Sequence, residues 1–177
     1  MLGMPNYSKD YIDQCRARVD ADLKAYAKQA GKNPSKEFET RFFNNQVLLL
    51  DHMFVHRLMA IEGKDGNPLN EVRVLCNSLL FNRGKLQVDK LPDWPNSAGS
   101  SLKLPPDKSV LKLKAGDTIA LTHAEFVRLA DAFFAEIENK YLAKRVAEHL
   151  DAEFLTLGGA LPRRRQSYQT RRRSPAR

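Results

Sequence analysis

Four segments of the chain place apolar residues at the three- and four-residue spacing of an amphipathic α-helix. The first segment, residues 8–30, can be capped by Ser8 and is stopped by Gly31. The second begins at Asn33-Pro34, a cap followed by a proline suited to the first helical position, and runs to about Glu62. Its core-facing stripe consists of Phe43, Val47, Leu50, Phe54, Leu58 and Ile61. The pattern predicts that both helices pack one apolar face against a common core.

The third and fourth helices also begin at capping signals, but the apolar stripe of the fourth moves to a different face in its second half. The third opens at Asn67-Pro68 and ends at Gly84. The fourth opens with a capping box formed by Thr122 and Glu125 and runs to about residue 157. The stripe on its second half consists of Leu142, Val146, Leu150 and Phe154. We expect this stripe to pair with a second copy of the chain, which gives a possible homodimer through the last helix; the alternative is that the first helix covers it.

The segments between the third and fourth helices show two other patterns. Residues 84–109 contain four prolines and a run of small polar residues, which predicts a long loop. Trp94 lies in this loop between two prolines, where it either pins the loop to its own domain or anchors a partner. Residues 110–121 alternate apolar and polar positions on both sides of Gly116-Asp117, which predicts a β-hairpin.

Together these patterns predict a mainly α fold. We expect a four-helix bundle-like domain over residues 1–162, with one β-hairpin, a long Pro-rich loop and a disordered Arg-rich C-terminal tail over residues 163–177. The longest purely apolar run, Val47–Leu50, is far shorter than the ~20 residues that a membrane span needs, and the N-terminus has no apolar signal-peptide region. Cys15 and Cys76 are too few and too far apart to indicate a disulfide framework or a thiolate metal site. We therefore expect a cytoplasmic protein that does not enter membranes.

Positive charge is concentrated at the C-terminus. The chain has a net charge of +8, but its last 15 residues hold seven arginines and no acid, so residues 1–162 carry only about +1. The arginines are Arg163, Arg164, Arg165, Arg171, Arg172, Arg173 and Arg177. Arginine-rich disordered segments bind the phosphates of nucleic acids through bidentate guanidinium contacts, so these residues are candidate nucleic-acid ligands. The tail could instead dock on an acidic protein surface or have no specific partner.

His52 and His56 are the best candidates for chemistry. They lie four residues apart on the predicted second helix, a spacing that places both rings on one side and is common among zinc ligands. A third ligand could come from Glu148 or His149 if the last helix passes alongside. The alternative is that both histidines are partly buried and hydrogen-bonded to neighbours. No cofactor is predicted, and no serine or cysteine lies in a recognisable nucleophile motif.

The sequence therefore favours a non-enzymatic binding or adaptor protein whose tail engages polyanions, above all nucleic acid. One alternative is a metal-binding helical protein or metal-dependent enzyme that uses His52 and His56. Another is a structural subunit of a larger assembly, held by the last helix.

Overall fold

The computed structural model describes residues 3–31, 34–88, 104–105 and 107–143. Within them 63% of residues are helical and strand pairing is limited to isolated bridges, so the predicted mainly α class is confirmed. The helices of this part are α1 (Lys9–Ala30), α2 (Lys36–Met53), α3 (Met59–Glu62), α4 (Pro68–Phe81) and α5 (His123–Tyr141). All described residues belong to one compact unit, Met1–Ala143. Trp94, the tail and the centre of the predicted 84–109 loop lie outside the described residues.

The predicted starts of three helices are confirmed, because their caps are local. The hydroxyl of Ser8 accepts a hydrogen bond from Tyr11 N at 3.2 Å and starts α1. The side chain of Asn67 accepts hydrogen bonds from the first free backbone N–H groups of α4. Thr122 and Glu125 form the predicted capping box, in which each side chain accepts a hydrogen bond from the other residue's backbone N–H. Each cap satisfies N–H groups that a helix start would otherwise leave unpaired.

The second predicted helix begins later than expected. Ser35, rather than Asn33, caps α2, and its hydroxyl accepts a hydrogen bond from Phe38 N at 3.2 Å. Pro34 precedes the helix, and Asn33 lies outside the described residues. Serine is as effective an N-cap as asparagine, so Ser35 can start the helix two residues after the predicted cap.

The same helix also ends early, at Met53 rather than near Glu62. The N-terminal segment is the cause: Met4 N donates to His56 O at 2.6 Å, and Leu58 N donates to Met4 O at 2.9 Å. A continuous helix would have bonded these groups internally. Their pairing with a residue near the start of the chain opens a turn after α2, so the prediction of one unbroken helix is wrong.

The last helix ends at Tyr141 and not near residue 157 as predicted. Leu142 leaves the helical conformation, with φ −62° and ψ 121°. Tyr7 holds it there, since Tyr7 N donates to Tyr141 O at 2.7 Å and Ala143 N donates to Tyr7 O at 2.9 Å. The N-terminal segment thus contacts the end of α5 as well as the end of α2. Apart from Leu142, the stripe on which the homodimer prediction depends lies outside the described residues.

The predicted β-hairpin over residues 110–121 is wrong, because no strand forms in this described range. Its first half bonds to α4, where the buried carboxylate of Glu71 accepts hydrogen bonds from Val110 N at 2.7 Å and Leu111 N at 3.1 Å. Its second half bonds to α2, where the amide of Asn44 donates to one backbone carbonyl and accepts from one N–H. Helix side chains therefore take the backbone groups that a two-stranded ladder needs.

The core lies between α2, α4 and α5, which contact one another, while α1 and α3 pack on α5. Phe43, Val47 and Leu50 of α2, and Phe54 just after its end, are buried as the sequence predicts. Leu58, the next member of the predicted stripe, is 36% exposed because it lies in the turn after α2. The buried residues of α5 are Phe126, Leu129, Ala130, Phe133, Phe134, Ile137 and Tyr141.

Candidate functional site

His52 and His56, the predicted metal ligands, do not share a helix. His52 lies in the last turn of α2, His56 lies in the turn that follows, and both side chains are exposed. Across the described residues, no group of three or more His, Cys, Asp and Glu side chains is placed to hold a metal ion. The further ligands considered from the sequence, Glu148 and His149, lie outside those residues. The helical geometry from which the metal site was predicted is therefore not formed.

The two histidines line a surface pocket of about 530 Å³ together with the N-terminal segment. Its other lining side chains include Tyr7 and Tyr11, whose rings stack with their centroids 5.5 Å apart. Tyr11 Oη donates a hydrogen bond to Met53 O at 2.5 Å. Burial raises the pKa of Tyr11 to about 12, so its phenol keeps its proton near neutral pH. The pocket thus places neutral hydroxyl groups beside exposed imidazole rings, which suits binding better than nucleophilic attack.

Both cysteines are buried thiols. Burial raises the pKa of Cys15 and that of Cys76, and Cys76 Sγ donates a hydrogen bond to Val47 O at 3.4 Å. A thiol reacts through its thiolate form, which burial in apolar surroundings disfavours. Cys15 and Cys76 therefore act as core side chains of α1 and α4.

An ion cluster, formed by the buried Arg57 and Glu62 and the partly exposed Asp51 and Arg73, holds the connection between α2 and α4. Arg57 Nη2 lies 2.8 Å from Asp51 Oδ1, and Arg57 Nε lies 2.8 Å from Glu62 Oε2. Arg73 Nη2 lies 2.5 Å from the same oxygen of Glu62. This ion cluster was not predicted, because its members come together only through the early end of α2.

Opposing effects set the ionisation of the Glu62 carboxyl. Burial by itself would raise its pKa, but hydrogen bonds from Arg73 and the charges of Arg57 and Arg73 outweigh burial, so the pKa lies below its usual value of 4.5. Burial would likewise lower the pKa of Arg57, but the carboxylates of Glu62 and Asp51 raise it. Two positive and two negative groups thus balance at neutral pH. The ion cluster is complete in itself and serves the fold.

A second charged region, the basic surface, contains four cations, Arg83, Lys85, Lys112 and Lys114, and one exposed acid, Asp117, whose carboxylate accepts a hydrogen bond from Lys114 N at 2.8 Å. Arg83 and Lys85 are separated by one uncharged residue along the chain, and so are Lys112 and Lys114. All four side chains are exposed, and none forms an ion pair with another described residue. The basic surface therefore differs from the ion cluster: it is open to solvent and carries an excess of positive charge.

Backbone hydrogen bonds join the segment at Lys85 to the turn that follows Lys114. Lys85 pairs with Thr118 in an isolated antiparallel bridge. Beside it, Leu86 N donates to Asp117 O at 2.8 Å. The turn that begins at Lys114 leads directly into this bridge, since Asp117 N donates to Lys114 O at 3.0 Å. Segments that are far apart in the sequence thus lie side by side around Lys85 and Lys114.

Nucleic-acid contacts were predicted only in the tail, and all seven candidate arginines lie outside the described residues. Sequence reasoning alone misses the basic surface. The alternation of Lys112 and Lys114 with leucine has the form of a strand's polar face. Nothing in that alternation indicates that Arg83 and Lys85 lie beside it.

No membrane-spanning helix is found among the described residues. None of their helices combines the length and the apolar character needed to cross a bilayer. Comparison of the chain with protein families, with characterised proteins and with solved structures found no match.

Proposed function

We propose that this chain is a non-enzymatic binding protein in which a four-helix bundle, within residues 1–162, presents an Arg-rich tail, residues 163–177, to nucleic acid. The observation that carries this proposal is the separation of charge. The tail holds seven arginines without an acid, whereas the rest of the chain is close to neutral. Guanidinium groups bind phosphate oxygens through paired N–H donors, and a segment without acids has no internal partner for them. The expected ligand is the phosphate backbone, with little preference for base sequence.

The titratable groups of the described residues support binding rather than catalysis. Burial keeps the phenol of Tyr11 and the thiols of Cys15 and Cys76 protonated. The buried charges of Arg57 and Glu62 pair with each other. Catalytic groups with shifted pKa values usually gather in a cleft that substrate can enter. Tyr7 and Tyr11 do line the surface pocket beside the histidines, but both phenols are neutral and donate hydrogen bonds to backbone carbonyls. The shifted pKa values of the two cysteines, Arg57 and Glu62 belong to the core and the ion cluster.

Electrophoretic shift of labelled oligonucleotides by the full chain tests the proposal. A variant with all seven tail arginines replaced by glutamine should lose affinity for both single strands and duplexes. For the natural chain, log affinity should fall linearly with log salt, with a slope of about 0.9 per neutralised phosphate on duplex and about 0.7 on single strands. A matched variant with the seven arginines replaced by lysine keeps the charge and should retain most of the binding.

Two outcomes would overturn the proposal. A glutamine variant that binds oligonucleotides as tightly as the natural chain would exclude the tail as the nucleic-acid contact. A natural chain that binds polyglutamate, but no oligonucleotide at low salt, would assign the tail to an acidic protein surface. Thermal unfolding of the variants serves as the control, because a tail without apolar periodicity is expected to leave the midpoint nearly unchanged.

A further inference from the structure

An exposed aromatic residue adjoins the basic surface. Phe81 is the last residue of α4 and is 54% exposed, and its neighbour Leu80 is 59% exposed. Arg83 follows two residues later. Asn82 Nδ2 donates to Lys85 O at 2.6 Å, which folds the chain of the basic surface back against the end of α4. The end of this helix therefore carries an exposed aromatic residue within four residues of two exposed cations, Arg83 and Lys85.

Two residues of the basic surface have a backbone conformation that is unfavourable for any residue with a Cβ atom. Arg83 and Lys112 have φ values of 54° and 57°. Glycine adopts this left-handed region without steric cost, whereas a residue with a Cβ atom is crowded there. Both positions nevertheless carry a long cationic side chain. Strained backbone of this kind is concentrated at functional positions, so the outlier points to a use for the side chains.

Several arginines of the described unit are paired with carboxylates, whereas the cations of the basic surface, like the exposed Lys24, Lys28 and Arg128, are not. Arg16, Arg57 and Arg73 each have a guanidinium nitrogen within 3.2 Å of a carboxylate oxygen. No member of the basic surface has such a partner among the described residues. Cations that are gathered on one surface and left unpaired attract polyanions and raise the rate of encounter with them.

From these observations we infer that the basic surface and Phe81 form a second nucleic-acid contact, one that prefers single strands. The inference rests on the proposed function and adds to it a class of nucleic acid that the tail alone does not select. The four cations neutralise phosphates, and an unpaired base stacks on the ring of Phe81. In a duplex the bases are stacked on one another inside the helix, so only the phosphate contacts remain.

Fluorescence anisotropy with the full chain and two labelled probes, oligothymidylate and a duplex, measures this contact. The test variant carries glutamine at Arg83, Lys85, Lys112 and Lys114. The control variant carries glutamine at Lys24, Lys28, Lys64 and Arg128, four exposed cations on other parts of the described unit. Each variant loses one arginine and three lysines, so the change in net charge is the same and only the position of the charge differs.

We expect the test variant to bind oligothymidylate about tenfold more weakly than the control variant at moderate salt, because several phosphate contacts are lost. Its slope of log affinity against log salt should decrease by about 0.7 for each contact removed. Phe81→Ala should weaken single-strand binding by about fivefold or more and leave duplex binding unchanged, since only an unpaired base can stack on the ring. Phe38→Ala, which removes an exposed aromatic ring from α2, is the matched control.

Equal affinities of the test and control variants for oligothymidylate would overturn this inference. If the tail glutamine variant has lost binding in the same assay, the proposed function stands without the second contact. If the natural chain binds neither probe at low salt, the proposed function and this inference both fail. A thermal midpoint of the test variant equal to that of the control excludes loss of fold as the cause. Should the test variant fold poorly, the comparison of Phe81→Ala with Phe38→Ala decides.

Discussion

The two connections that flank α4 use charged residues in opposite ways. In the connection from α2 to α4, Arg57 and Glu62 are buried and bonded to each other. In the described part of the connection from α4 to α5, Arg83, Lys85 and Lys112 are exposed and have no ion-pair partner among the described residues. Both connections contain arginine, so the position of an arginine in the fold, and not the residue type, determines whether it is buried and paired.

Burial explains the difference. A buried charge has lost its water and needs a partner within the protein, so the ion cluster must be complete for the chain to be stable. An exposed charge keeps its water, contributes little to stability, and can exchange that water for a ligand. The first connection therefore uses its charges to hold the fold, and the second leaves its charges available to a partner.

Glu62 is expected to show the largest effect, since it contacts both arginines of the ion cluster. Glu62→Gln keeps the shape of the side chain but removes its charge. Two guanidinium groups are then left with a single acid, Asp51. We expect the free energy of unfolding to fall by about 3–5 kcal/mol, as for other buried pairs that lose one partner. Urea denaturation at neutral pH measures the change.

The matched control is Glu37→Gln. Glu37 is an exposed carboxylate of α2 that lies 3.6 Å from Arg41, one turn along the helix. Exposed pairs of this kind contribute little, so the free energy of unfolding should change by less than about 0.5 kcal/mol. Equal effects of the two substitutions would contradict the distinction between the two kinds of charge.

The stability of the protein at acid pH should depend on the carboxyl group of Glu62. The pKa of Glu62 is lower in the folded protein than its usual value of 4.5, so the unfolded chain binds the proton more readily. The stabilisation is therefore complete above about pH 4.5 and is lost as the pH falls through the folded pKa. The difference in unfolding free energy between the natural chain and Glu62→Gln should shrink as the pH falls from about 5 to about 3. A difference that stays constant over this range would show that Glu62 does not act through its charge.

Glu71 should have an intermediate effect, because it anchors the second connection without a cation. Its buried carboxylate accepts hydrogen bonds from Ser109 Oγ and Val110 N, both at 2.7 Å, and from Leu111 N at 3.1 Å. Glu71→Gln replaces one accepting oxygen by an NH₂ group that faces these donors. We expect a loss of about 2–3 kcal/mol in the free energy of unfolding. Amide hydrogen exchange should accelerate at Val110 and Leu111, and unchanged exchange there would show that the carboxylate does not fix the segment.

Local signals explain which parts of this arrangement can be predicted from sequence. Ser8, Asn67 and Thr122 mark helix starts correctly, because each cap bonds to N–H groups only two or three residues away. The ends of α2 and α5 cannot be predicted in this way. They depend on hydrogen bonds to Met4 and Tyr7, which are distant in the sequence.

The charged regions can also be predicted only in part, because the burial of a charged residue depends on contacts that are distant in the sequence. Sequence identifies the excess of arginine in the tail, since that excess is a local property of composition. It does not separate Arg57, which is buried, from Arg83, which is exposed. Burial of Arg57 requires the turn that Met4 opens after α2. Sequence also gives no reason to expect a positive φ at residue 112, because this residue is a lysine and not a glycine or an asparagine.

A smaller effect on stability than at Glu62 or Glu71 is expected at Lys112, and it has the opposite sign. The left-handed conformation costs about 1–2 kcal/mol for a residue with a Cβ atom, and the greater freedom of glycine in the unfolded chain offsets part of that. Lys112→Gly should therefore raise the free energy of unfolding by about 0.5–1 kcal/mol in urea denaturation. Lys114→Gly removes the same charge where φ is not positive, so it should lower stability slightly.

Both glycine substitutions should weaken single-strand binding to a similar extent, because each removes one cation from the basic surface. Only Lys112→Gly should combine weaker binding with higher stability, since only there does the lysine occupy a backbone conformation that favours glycine. Anisotropy and urea denaturation of the two variants, measured side by side, test this combination. If Lys112→Gly binds oligothymidylate as tightly as the natural chain while unfolding at higher urea, the strained lysine has no use in binding. The contrast between a connection that pairs its charges and one that leaves them for a ligand would then rest on Arg83, Lys85 and Lys114 alone.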